Sequence, residues 1–148
     1  MKALKLILIW LPVVILSMVV SNAVFADGFR TAAGGMKVKD LANGSGLVAE
    51  EGMIATIHFI GWLDNQGVRG KELYNSRSTG EPVSFVIGTD KVMPAWNEGV
   101  LGMQPGGRRM LLVPPGMAYG NRAVEDIIPA NASMMFNIEL VRLEPQSD

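Results

Sequence analysis

Apolar and polar residues alternate over several short stretches of this chain. Met36-Lys37-Val38-Lys39-Asp40-Leu41 mixes apolar and charged positions with a period of two, which predicts a half-buried strand over 36–41. Met53, Ala55, Ile57 and Phe59 share one face of a second strand, with Thr56 and His58 on the other. A third strand is expected over 83–87, closed by Gly88, and a fourth over 109–113, ending at Pro114-Pro115. The longest, over 134–143, sets Phe136, Ile138 and Leu140 against Asn137 and Glu139. Asn43-Gly44 with Gly46 marks one turn and Asp64-Asn65-Gln66-Gly67 another, and the polar run from there to Gly80 predicts a long loop. One segment has a different period. Residues 94–101 begin on Pro94, stop at Gly102 and place Trp96 and Val100 on one face, which predicts a short helix. The fold class expected is α+β: an antiparallel sheet of five to six strands, wet on one side, with one short helix packed on it.

The N-terminus has its own pattern. Two lysines within residues 1–5 precede an almost wholly apolar run over 6–20, and small residues surround Ala23 and Ala26. A charged start, an apolar stretch of about 15 residues and a small-residue cut site describe a secretory signal peptide. Cleavage is expected after Ala26, with Ala23 as the alternative site. The competing reading is an uncleaved membrane anchor, since the run just reaches the length of a tilted span. The organisation expected is a signal peptide over 1–26, a flexible leader over 27–34 and one domain over 35–148. The protein is expected to be exported to the periplasm or cell envelope, or secreted.

Composition narrows the chemistry. The 148 residues are 49% apolar, with 13 Lys and Arg against 14 Asp and Glu. That near balance excludes a strongly basic nucleic-acid binder. The absence of cysteine excludes disulfides, thiol nucleophiles and thiolate metal sites, and the single histidine, His58, excludes a histidine metal cluster. No phosphate-binding glycine loop and no serine-nucleophile elbow is present. Glu50-Glu51 and Glu125-Asp126 read as solvated loops, and His58 as a structural residue. More telling are large apolar residues set beside turn chemistry: Val92-Met93-Pro94-Ala95-Trp96 at a helix start, Tyr119 in the turn-rich 114–120 stretch, and Ile127-Ile128 before Pro129. With Phe59 and Phe136 they can line one apolar pocket. A pocket without an acid–base pair points to binding, or to a reaction that needs desolvation more than proton transfer.

These residues, in this order, resemble the FKBP-type peptidyl-prolyl cis-trans isomerase family over about 35–144. The resemblance rests on Ile57-His58-Phe59-Ile60-Gly61, Ser76-Arg77, the 82–88 stretch from Pro82 to Gly88, and the 92–100 stretch with Trp96 and Glu98-Gly99. Ala118-Tyr119-Gly120, Ile127-Ile128-Pro129 and Phe136-Asn137-Ile138-Glu139-Leu140 complete it. It implies a sheet wrapped around the short helix with a prolyl pocket between them. The catalytic positions implied are Tyr119, Trp96, Phe136 and Phe59, and the substrate-binding positions are Leu73, Tyr74, Val83, Val92, Met93, Ile127 and Ile128. Trp96 would form the floor, the Tyr119 hydroxyl and the Met93 backbone N–H would bond substrate carbonyls, and Ile127 and Ile128 would form a loop wall. The partners implied are proline-containing polypeptides, with macrolide immunophilin ligands as a further class. No cofactor, metal or nucleic acid is implied, and in the absence of a dimerisation helix a monomer is expected.

The chain departs from the family pattern in one region. Leu73-Tyr74 stands where the family has Phe-Asp, and Thr79 stands where it has the arginine that partners that carboxylate. The segment from Trp62 to Tyr74 is also longer than in the shortest members. The function expected is an exported isomerase that accelerates X-Pro isomerisation in folding proteins. The alternative is a binding module or chaperone on the same fold with little isomerase activity.

Overall fold

Each alternating segment forms a strand, and two further strands join them. A computed structural model describes residues 28–147; the signal peptide expected over 1–26 lies outside the described residues. The strands are β1 (Arg30–Thr31), β2 (Lys37–Ala42), β3 (Ile54–Asn65), β4 (Val68–Asn75), β5 (Val83–Val86), β6 (Arg108–Val113) and β7 (Met134–Glu144). They form one sheet of seven, ordered β1-β2-β6-β7-β3-β4, with β5 also on β3. Every pairing is antiparallel. The architecture expected from the sequence is therefore present, with β1 and β4 added at the edges. β1 falls inside the segment read as a leader and pairs with β2 at Arg30↔Val38 and Thr31↔Lys37.

Two helices interrupt the strands: a single turn, α1 (Ser76–Thr79), and α2 (Pro94–Val100). In α2 proline occupies the first turn, and Ala95, Trp96, Gly99 and Val100 are buried against the sheet. The main core lies between this helix and the sheet face carrying Ile57, Leu111, Phe136, Ile138 and Leu140, all fully buried.

The segment read as a long loop is instead the outgoing half of a hairpin, with α1 after it. Gln66 (φ 53°) and Gly67 (φ 86°) form a two-residue left-handed connection between β3 and β4. The Gly67 N–H donates to Asp64 Oδ1 at 2.7 Å. β4 carries no apolar alternation because its residues 68–72 are exposed. The sheet's second face is also less wet than expected. Trp62, Met110 and Met135 form a small buried cluster there, with Phe29, Ile60 and Leu112 packed around it. The Arg69 guanidinium lies 4.6 Å from the Trp62 ring centroid, within cation–π range.

Candidate functional site

A cavity of about 190 Å3 opens between the sheet and α2, lined by Phe59, Tyr74, Met93, Trp96, Tyr119 and Phe136. Phe59 and Phe136 come from the adjacent strands β3 and β7, where Gly61 pairs with Phe136. A Cβ at Gly61 would lie 2.8 Å from Phe136 Cε1, so glycine leaves the ring its place. Trp96 rises from α2, whose first turn is closed by its backbone N–H donating to the Met93 carbonyl at 3.0 Å.

The rings hold one another. Phe59 and Trp96 centroids are 4.6 Å apart, and Phe136 stands edge-on to Trp96 at 6.1 Å with an interplanar angle of 82°. Phe85 supports Trp96 from outside the cavity at 6.1 Å. Such tilted and edge-on pairs are favourable beyond their burial. Phe136 is completely buried and Trp96 is 9% exposed, so these two rings expose little surface to solvent. The Trp96 indole N–H is buried without an acceptor among the described residues, a group that costs free energy while unpaired.

The polar groups are on the rim. Tyr119 follows a 3-10 turn over Pro115–Met117 and is fixed by loop bonds, with the Gly120 N–H donating to the Pro115 carbonyl at 2.7 Å. Burial first, and then the charge and hydrogen-bonding influence of Tyr74, raise the Tyr119 pKa to about 12. Its hydroxyl is therefore a protonated donor throughout the neutral range. Tyr74 ends β4, paired with Gly61, and faces the same cavity. None of the six lining side chains carries a charge at neutral pH.

Six of the eleven residues singled out from the sequence thus meet in one place. Leu73, Val83 and Val92 pack on the core beside the cavity without lining it. Ile128 is 1% exposed and turns into the core, while Ile127 is 42% exposed. The reason is local: the Val124 N–H donates to the Ile128 carbonyl and the Ile128 N–H to the Val124 carbonyl, closing a tight loop that turns one isoleucine in and the other out. The loop wall expected from this pair is accordingly not part of the lining. Glu50, Glu51, Glu125 and Asp126 are exposed, as the sequence suggests. Among the described residues no group of three His, Asp or Glu side chains could hold a metal.

Two supports were invisible in the sequence. Buried Arg109 donates to the carbonyls of Gly99 (2.9 Å) and Leu101 (2.7 Å) and, through Nε, to Asp40 (2.7 Å), fastening the end of α2. Asp40 and Arg109 are brought together by the β2–β6 register, and no local signal could have found them. Buried Ser76, quoted above only as part of a motif, accepts from the Phe59 N–H at 2.8 Å.

Other clefts are larger but differently built. One of about 370 Å3 beside the hairpin turn is lined by Lys37, Asp64, Gln66, Ser133 and neighbouring residues. Another of about 250 Å3 is lined by His58, Arg77, Arg108, Asn137 and Glu139 together with Phe59 and Ile60. Unlike these two, the aromatic cavity combines an apolar floor with a few converging polar groups, the usual composition of a ligand site.

Known proteins place this geometry in context. Residues 46–141 match the family described as FKBP-type peptidyl-prolyl cis-trans isomerase. An FK506-binding protein of Neisseria meningitidis serogroup B is 34% identical over 110 residues, covering 74% of this chain and 97% of that protein. Peptidyl-prolyl cis-trans isomerase FKBP1A of Xenopus laevis is 37% identical over 111 residues, covering 74% of this chain and 99% of that one. The crystal structure of FkpA from Escherichia coli superposes with a TM-score of 0.72 at 31% identity, over 84% of this chain and 55% of that one. That of AtFKBP13 gives 0.67 at 30% identity, over 77% and 97% respectively.

Proposed function

The chain belongs to the FKBP-type peptidyl-prolyl cis-trans isomerase family and is a peptidyl-prolyl isomerase, and on that premise we propose that it acts on exported polypeptides by holding proline in the aromatic cavity. The observation that carries this reading is the uncharged aromatic cavity in which Phe59, Trp96 and Phe136 meet Tyr119.

Rotation about an amide is resisted by about 18–20 kcal/mol because the C–N bond has double-bond character. X-Pro bonds therefore exchange over tens to hundreds of seconds although their isomers differ little in energy. Resonance makes the planar amide more polar than the twisted one, so a water-free site disfavours the planar form relative to the twisted one. The prolyl ring rests on Trp96, the Tyr119 hydroxyl donates to one substrate carbonyl, and the Met93 backbone N–H donates to the next. Interactions that fit the twisted amide better than the planar one accelerate rotation. No nucleophile or titrating base is needed.

At about 190 Å3 the cavity falls below the roughly 300–1,000 Å3 of drug-sized sites. It suits one prolyl ring and an adjoining carbonyl. A macrolide immunophilin ligand, being larger than this volume, would place only part of itself there. Export is supported by the lysine-then-apolar pattern over 1–26 with its small-residue cut site.

Tyr74 at the cavity wall, where a carboxylate is usual, favours a second reading in which the fold binds proline-containing segments with little catalysis. A protease-coupled assay on an X-Pro peptide separates the two. Acceleration above the uncatalysed rate, lost in folded Trp96→Ala, is the outcome expected of the isomerase. Peptide binding without acceleration would establish the binding module instead.

A further inference from the structure

Strand β3 has a gap along one edge. β5 pairs with it as far as Ile57↔Val83, and β4 takes up the pairing at Ile60↔Asn75. His58 and Phe59 lie between, with no strand opposite them on that side. A side chain fills the gap: Ser76 Oγ, in a residue only 5% exposed, accepts from the Phe59 N–H at 2.8 Å and lies 2.9 Å from His58 Nδ1. Ser76 opens α1, two residues after Tyr74. That turn is itself fixed, since Asn75 Oδ1 accepts from the Arg77 N–H and the Thr79 hydroxyl donates to the Ser76 carbonyl.

We infer that Ser76 is a positioning residue for the isomerase reaction: its hydroxyl fastens Phe59 to the turn that follows Tyr74, and His58 orients that hydroxyl. The inference rests on the cavity being the prolyl site. Phe59 and Tyr74 are two of its walls and come from different strands, and the Ser76 link fixes one relative to the other. Because Oγ already accepts from Phe59, its hydrogen is free to be donated to the imidazole, with Nδ1 as acceptor. When His58 is protonated, Nδ1–H becomes the donor and the second lone pair of Oγ accepts it, so the bond from Phe59 persists. The charged groups facing His58 are Glu139, opposite it on β7, Arg77 of α1, ion-paired with Glu139, and Arg108 of β6, also in register with Glu139. The link therefore holds in either protonation state of the ring.

The test measures kcat and KM for an X-Pro peptide on folded full-length variants, with Trp96→Ala as a reference for the cavity. Ser76→Ala is expected to lower kcat about tenfold with KM within about twofold, because Trp96, on which the ring rests, is untouched. Ser76→Thr, which restores a hydroxyl, is expected to recover most of that loss. His58→Leu removes the acceptor and is expected to lower kcat severalfold, whereas His58→Asn, which offers an amide oxygen near the place of Nδ1, is expected to stay near wild type. Folded Ser76→Ala with wild-type kcat overturns the inference. Should Ser76→Ala fail to fold, the histidine pair decides, and equal activity of His58→Leu and His58→Asn overturns it. If Trp96→Ala itself keeps wild-type rate and peptide affinity, the cavity assignment has failed; if only the Ser76 and His58 variants behave as wild type, the positioning role alone has failed.

Discussion

Tyr119 carries the one donor hydroxyl assigned to substrate, and its environment decides the pH range over which it works. The folded chain holds the phenol proton more tightly than an exposed tyrosine does, with a pKa of about 12 against 10, through burial first and Tyr74 second. Since the folded pKa is the higher, the stability it contributes is fully present below pH 10 and is lost as pH rises from 10 to 12. The donor is intact at neutral pH, and no His, Asp, Glu, Lys or Arg lines the cavity. Activity is therefore expected to vary by less than about twofold from pH 6 to 8; a bell with both limbs inside that window would reveal acid–base chemistry in the site. Tyr74 is, with Leu73 and Thr79, a position at which the resemblance to the family pattern breaks. The extra length before it is taken up in the hairpin, and Tyr74 itself reaches the cavity wall. A phenol there is neutral and bulkier than a carboxylate. Tyr74→Asp paired with Thr79→Arg is expected to raise kcat/KM severalfold while peptide affinity changes less, because a charge that meets the twisted amide better than the planar one acts on rate. The arginine is required, since an unpartnered carboxylate in a drying site is protonated or costly. A folded double variant with wild-type kcat/KM would show that residue 74 is not the missing catalytic position.

Elements were legible where burial wrote a period into them. β3, β5 and β7 each keep a core face on which apolar residues recur at every second position, β6 is a short apolar run that stops at two prolines, and α2 announces itself by Pro94 and the Trp96/Val100 spacing. β4 did not, because residues exposed on both faces are free to be polar, and only the Gln66-Gly67 turn hinted at a hairpin. The end of α2 was equally hidden. Arg109 is 5% exposed, and its partners are two backbone carbonyls and Asp40, none of them near it in a local pattern. Removing its donors would leave buried carbonyls unpaired beneath the helix that carries the pocket floor. Arg109→Met, similar in length and apolar, is expected to destabilise the fold by about 3 kcal/mol. A lower urea midpoint with an unchanged m-value checks this, and a midpoint within error of wild type would mean that the carbonyls find water instead.

At the scale of the whole molecule, the site is a product of topology. Its lining residues run from Phe59 to Phe136 and come from β3, β4, β7, the start of α2 and the loop after β6. The sequence pattern set Met93, Trp96 and Tyr119 beside turns and let Phe59 and Phe136 line one pocket with them, and Tyr74 joined them only through the resemblance. It could not foresee which of two adjacent isoleucines a closed loop would bury, because that depends on backbone bonds between Val124 and Ile128. The same whole-molecule view bears on export. Among the described residues the first strand begins at Arg30, paired on β2 through Arg30↔Val38 and Thr31↔Lys37. Cleavage after Ala26 or Ala23 would leave Arg30 and Thr31 in the chain, so the processed protein is expected to keep β1 paired on β2. Protein recovered from the extracytoplasmic fraction of a bacterial host is expected to have an intact mass starting at Asp27, or at Val24 for the alternative cut, and to isomerise X-Pro peptides. Retention of the full mass, with the protein in the membrane fraction, would instead make the apolar run over 6–20 an anchor that tethers the same folded domain to the envelope.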